Sequence, residues 1–215
     1  MKIKEVLVLI WSLSFLYAQK PFEGSITYSV KIDAKQDLGP MASQMPSTVK
    51  VFYRGGKARM DAGPMVVIAD NDAKKSYLLF PEQASYVVSS TEVKDTLSDK
   101  IKYEVKATGE KTKMLGHPVE KYIIEIYQQD SRVAWTESWV ALDLKAIGTD
   151  ALKSPLFSGV KGLPGIPLWI KSELMGMNAH IIYAATQIST NVPDERLFQV
   201  PEHYQEMKLG LPFRD

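Results

Sequence analysis

"GSITYSVKI", residues 24–32, sets Ile26, Tyr28, Val30 and Ile32 on one side of the chain and Ser25, Thr27, Ser29 and Lys31 on the other. Successive side chains of a strand point to opposite faces, so this alternation belongs to a strand with one buried face. The same period continues outward. "TVKVFYRGGKARMDA" (48–62) reads as two strands joined at Gly55 and Gly56, residues able to take the positive φ of a tight hairpin turn. "MVVIADNDAKKSYLLFPEQASYVVSS" (65–90) extends the pattern, with turn chemistry at residues 70–74 and 81–83.

The second half uses longer strands. "KYEVKATGE" (102–110) leads through a turn around Gly116 and Pro118 into "VEKYIIEIY" (119–127), where Tyr122, Ile124 and Ile126 oppose Lys121 and Glu125. "RVAWTESWVAL" (132–142) follows a polar turn at residues 128–131. "IPLWIKSEL" (166–174) and "AHIIYAATQIST" (179–190) form a last hairpin across residues 175–178. The total is about ten strands. Helical periodicity is confined to "VKDTLSDKI" (93–101) and "LKAIGTDALKSPLF" (144–157), the latter broken by Gly148 and Pro155. The fold class expected is mainly β: one antiparallel sheet that must curl into an incomplete barrel to shelter its apolar face, with a few short helices and lid loops. Residues 34–47 and 145–167 are the long connections, candidates for lids.

A chain of 215 residues with 45% hydrophobic and 24% charged residues suits a single globular domain. Twenty-six Lys and Arg against 25 Asp and Glu, without a basic stripe, exclude an electrostatic footprint for nucleic acid. At the N-terminus "MKIKE" precedes the apolar run "VLVLIWSLSFLYA" (6–18), which is short for a membrane span of about 20 residues. It has the layout of a signal peptide, residues 1–18, with cleavage after Ala18; because Leu16 occupies the minus-three position that small residues prefer, a retained single membrane anchor is the alternative. The mature domain is then 19–215, exported, with the periplasm favoured over secretion or outer-membrane association, and at most peripheral to a membrane. The chain has no cysteine, so neither a lipid anchor on cysteine nor a disulfide is available.

No catalytic constellation is evident. His117, His180 and His203 lack ligand spacing, and there is no nucleophile elbow, phosphate loop or dinucleotide fingerprint. The sequence calls for no metal and no cofactor. In "WTESW" alternation puts Trp135, Glu137 and Trp139 on one face, a carboxyl between two rings; it could anchor a ligand head group, act as an acid, or pair with Arg54 or Arg59. The other candidate is "GVKGLPGIPLWIK" (159–171), a rigid apolar approach to a strand. There Leu163, Pro164 and Ile166 would line a cavity rim or a filled corner, Leu168 and Ile170 would face one side of the sheet, and Trp169 the other. Tyr28, on the apolar side of the first strand, completes the candidate ligand-binding set.

Read in order, "FEGSITYSV", "VFYRGGKARMD", "VIADNDAKKSYLL", "KMLGHPVEKYIIE", "ESWVALDL", a Gly-Leu-Pro segment and "VPDERLFQVPEHYQEM" resemble the exported bacterial family called domain of unknown function 4412, in the superfamily of the lipoprotein carriers LolA and LolB. "GLPGI" is also similar to the hexapeptide that names the GLPGLI family. The resemblance implies an open antiparallel barrel whose concave face receives a hydrophobic ligand or lipoprotein acyl chains, without catalysis. Two alternatives stand beside it: an envelope interaction module that binds another protein, and an exported enzyme using Glu137.

Overall fold

The computed structural model describes residues 20–35, 39, 44–90, 101–145, 163–174 and 177–207. The stretch read as a signal peptide and the segments read as helices, apart from residues 101, 144 and 145, lie outside them, as do residues 36–38 and 40–43 of the 34–47 loop.

Six strands form a first meander: β1 (Gly24–Ala34), β2 (Thr48–Arg54), β3 (Lys57–Ala62), β4 (Met65–Asp70), β5 (Lys75–Phe80) and β6 (Ser85–Ser90). Five form a second: β7 (Ile101–Met114), β8 (His117–Gln128), β9 (Ser131–Ala141), β10 (Ile166–Glu173) and β11 (Ala179–Ser189). A two-residue β12 (Gln205–Glu206) follows a 3-10 turn at Glu195–Phe198. All join one curled, unclosed sheet in the order β12-β6-β5-β4-β3-β2-β1-β11-β10-β9-β8-β7. The two meanders meet where β1 pairs antiparallel with β11 as well as with β2. β12 runs parallel to β6, whereas the other strand pairs among the described residues are antiparallel.

The expected turns form as their chemistry requires. Gly55 has φ 55° between β2 and β3. Gln129 and Asp130, at φ 50° and 63°, make the doubly left-handed turn whose twist matches a two-residue hairpin. Pro118 departs from expectation: it is the second residue of β8, opposite Lys113, not part of the turn. A strand's first residues tolerate a missing donor, and its carbonyl accepts from the Leu142 amide at 3.1 Å.

Register assigns the two faces. Ile26 is opposite Val51 and Tyr28 opposite Val49, so these share the inner face; across the seam Val30 is level with Tyr183 and Ile32 with Ile181. The same face continues through Ile170, Ser138, Tyr122 and Ile124. Its centre is filled: Ile26, Val51, Ile124 and Val140 have no exposed surface. On the opposite face of β4 and β5, Val66, Ile68 and Leu79 are covered by Phe198, with Leu197, Val200 and Tyr204 against them. This C-terminal clasp is tied down by Arg54, which donates to the Pro193 carbonyl (2.7 Å), and by Arg59, which donates to the Leu197 carbonyl (2.8 Å). Among the described residues no helix is long and apolar enough to cross a membrane.

Candidate functional site

The inner face is a row-by-row apolar surface whose cover thins toward the first meander's edge. Val51 of β2 is level with Met60, Met60 with Val67, Val67 with Leu78 and Leu78 with Val87. Val51 is fully buried, whereas Met60, Val67, Leu78 and Val87 are only half-buried. On the other flank Val105, Tyr122 and Ile126 are half-buried on the same face, and Tyr103 is 41% exposed. A twisted sheet keeps each strand's apolar side on one surface, so these rows are continuous with the core.

The candidates from the sequence separate into three places. Tyr28 is inside, in the centre. Its hydroxyl donates to the Pro167 carbonyl at 2.9 Å, locking the start of β10 to β1, and burial, with Tyr53 beside it, holds its ionisation well above the usual tyrosine range. Leu168 and Ile170 are buried there too, at 1% exposure each.

Ile166 belongs to a filled corner. It has no exposed surface and lies in the cluster of Phe22, Val119, Ala141 and Leu144, and its amide donates to the Leu144 carbonyl at 2.9 Å. Gly165 is what allows this closeness: a Cβ there would run into the Ala141 carbonyl oxygen and lie 2.8 Å from that of Leu144. Leu163 is half-buried and Pro164 exposed at the approach to this corner. The residues preceding them in "GVKG" lie outside the described ones.

Trp135, Glu137, Trp139 and Trp169 share the outer face. Trp139 is level with Trp169 and Lys121, and Glu137 with Lys171 and Ile123. The alternate residues of β9 are the inward ones: Ala134, Thr136 and Ser138 are buried, at 6%, 1% and 0% exposure. Small residues therefore line β9 inside, while its tryptophans stand outside half-buried. Thr136 and Ser172 hydroxyls meet at 2.9 Å, but Ser138 Oγ has no hydrogen-bond partner among the described residues, a cost the apolar interior carries. Glu137 is an ion-paired carboxylate: Lys121 Nζ lies 3.2 Å from Oε1. The arginines considered from sequence are engaged elsewhere, Arg54 toward Glu195 and Arg59 with Asp61. The hydrogen bond to Glu137 raises the Lys121 ionisation, and the same ammonium lies 5.8 Å above the Trp139 ring. Next along the sheet, Lys106 and Arg132 both reach Glu125, whose carboxyl is lowered first by the Lys106 hydrogen bond.

The three histidines are dispersed. His117 contacts Asp143 (2.9 Å), His180 lies against the Trp135 ring (5.6 Å), and His203 against Tyr204 (4.9 Å). Among the described residues no three His, Cys, Asp or Glu side chains converge. What the sequence reading missed is the half-buried row through Met60, Val67, Leu78 and Val87. Its signal was present as alternation in β3 to β6, but which alternate set faced inward was not.

No family profile matches the chain, and no curated protein does. Among solved structures it is similar to PNGF-II at 15% identity and TM-score 0.49, over 86% of this chain and 31% of that one. A LolA superfamily protein from Nitrosomonas europaea is similar at 9% identity and TM-score 0.37, over 83% of this chain and 90% of that one. MucB is similar at 16% identity and TM-score 0.37, over 87% and 59% respectively. At these scores the likenesses carry no argument for function. The resemblances to domain of unknown function 4412 and to the GLPGLI family have no counterpart in these comparisons.

Proposed function

We propose that the chain is an exported, non-enzymatic envelope protein that binds an apolar ligand, such as a lipid acyl chain, on the inner face of its curled sheet. The observation that carries this reading is the row Met60, Val67, Leu78 and Val87: aliphatic side chains, half-covered, level with one another and continuous with a buried core. Each methylene laid on such a row contributes about 0.8 kcal/mol, so an acyl chain needs contact area and no reactive group. The opposite face of the same strands is already occupied by the C-terminal clasp, which leaves the inner row as the apolar surface with room to gain. In this reading Tyr28, Leu168 and Ile166 build the wall without touching ligand. The LolA-like carrier role, with lipoprotein acyl chains as cargo, is the specific form that the sequence resemblance suggests.

A second reading has its own support. Ile26, Ile124 and Ile170 fill the centre of the interior, as in a scaffold that presents its surface to another envelope protein. The test is native mass spectrometry of the protein purified from an envelope fraction, with displacement of a fluorescent fatty acid. The apolar-ligand reading expects co-purified lipid and saturable displacement, weakened about tenfold or more by Leu78→Lys, which puts a charge in the row. Neither lipid nor displacement in the parent protein would overturn it in favour of the scaffold.

A further inference from the structure

The strands that carry the half-buried row sort their residues sharply by face. The charged side chains of β3 to β5, Lys57, Arg59, Asp61, Asp70 and Lys75, all fall at outer positions, and β6 has none. The inner positions of these strands are apolar or serine. A charged head group would lose its hydration on this face without meeting an opposite charge. The row also has unlike ends. At one, Val51 has no exposed surface, so the row stops against filled core. At the other, Val87 lies between Ser85 and Ser89, alternate residues of β6 and so on its own face. Ser85 is 6% exposed, and its hydroxyl has no hydrogen-bond partner among the described residues. A buried hydroxyl left without a partner carries a desolvation cost that a polar group of a ligand would offset.

The flanks set the width. On one side of the row Ala58 and Ala69 have no exposed surface, and on the other the strands end, with Met65, the first residue of β4, 43% exposed. Between them there is room for one chain and not for two side by side. From Met60 on β3 to Val87 on β6 the row crosses three strand spacings, about 14 Å in all. An extended hydrocarbon advances about 1.25 Å per carbon, the projection of a single bond of about 1.5 Å. The concave side of a curled sheet is shorter than its backbone, so about ten to twelve carbons match the row. We infer that the ligand is a single unbranched chain of about ten to twelve carbons with a neutral hydroxyl or ester head. It lies across the strands, its methyl end against Val51 and Met60 and its head at β6, where the Ser85 hydroxyl hydrogen-bonds it. This rests on the inner-face reading and adds to it the number of chains, their length, their direction and the chemistry of the head.

The test is displacement of a fluorescent fatty acid from the full chain by 1-octanol, 1-decanol, 1-dodecanol, 1-tetradecanol and 1-hexadecanol, with dodecanoate and dioctanoylglycerol for comparison. Affinity should rise about fourfold per added methylene as far as 1-dodecanol and then level off. Dodecanoate should bind no more tightly than 1-dodecanol, because no cation faces the row. Ser85→Ala, a change of one buried oxygen, should weaken every alkanol about fivefold while leaving the rise per methylene as it was. The inference is overturned if no alkanol displaces a fatty acid that does bind, or if affinity keeps climbing through 1-hexadecanol. It is equally overturned if dioctanoylglycerol, with two chains, outcompetes every alkanol, or if Ser85→Ala binds 1-dodecanol as the parent does. Failure of the fluorescent fatty acid itself to bind would overturn the inner-face reading as well.

Discussion

Replacing Phe198 by alanine should destabilise the whole sheet, not only the clasp that carries it. Phe198 is 4% exposed and closes the cluster of Val66, Ile68 and Leu79. Burying a phenyl side chain removes roughly 150 Å² or more from water, worth about 4 kcal/mol at about 25 cal/mol per Å². Residual compaction of the unfolded chain lowers this by about 10–40%, leaving about 3 kcal/mol, near the low end of measured Phe→Ala losses. With a urea slope of about 2 kcal/mol per M, the midpoint should fall by about 1.5 M with the slope unchanged. Far-ultraviolet dichroism in urea is the assay. A shift below about 0.3 M would refute the reasoning, because the segment from Pro193 to Met207 would then be ornament on a sheet that stands without it.

Gly165→Ala should cost at least about 2 kcal/mol, since the new methyl meets backbone oxygens of Ala141 and Leu144 that cannot swing aside like side chains; an unchanged melting temperature would contradict that corner. The clasp should also respond to acid. Asp194 caps its 3-10 turn, accepting from the Arg196 amide at 2.9 Å, and the Arg196 contacts lower its carboxyl from 3.8 to about 2. A carboxyl lowered by folding stabilises the fold above its unfolded value and loses that contribution as pH falls through its folded one. Hydrogen-exchange protection at residues 195–206, taken relative to the intrinsic exchange rate at each pH, should therefore fall between about pH 4 and pH 2. Asp194→Asn keeps a capping oxygen and should remove that pH step; a step that persists in Asp194→Asn would assign it to other groups.

Local pattern made most of the strands readable. Alternation in "GSITYSVKI" and "VEKYIIEIY", and turns at Gly55 and at residues 129–130, depend on neighbours in the chain, and they fall where sequence placed them. That Trp135, Glu137 and Trp139 share a face was legible for the same reason, because period two relates residues of one strand whatever the strand packs against. Which face is the inner one is not local. Alternation left open whether Trp135 and Trp139 face the interior or solvent, and Ala134, Thr136 and Ser138 are the buried set. The bulkier Ile124 on β8 and Ile170 on β10 already fill that layer, so the strand between them has space for small side chains only.

By itself, then, the sequence determined where the chain extends, where it turns and which side chains travel together. The tertiary structure decided the seam between β1 and β11, which joins residues more than a hundred positions apart and makes one sheet of two meanders. It also decided that the C-terminal segment covers the outer side of β4 and β5 and leaves their inner row half-open. Both depend on which distant surfaces meet. Side-chain alternation carries no information about that, because a strand's pattern is satisfied by any partner that buries the same face.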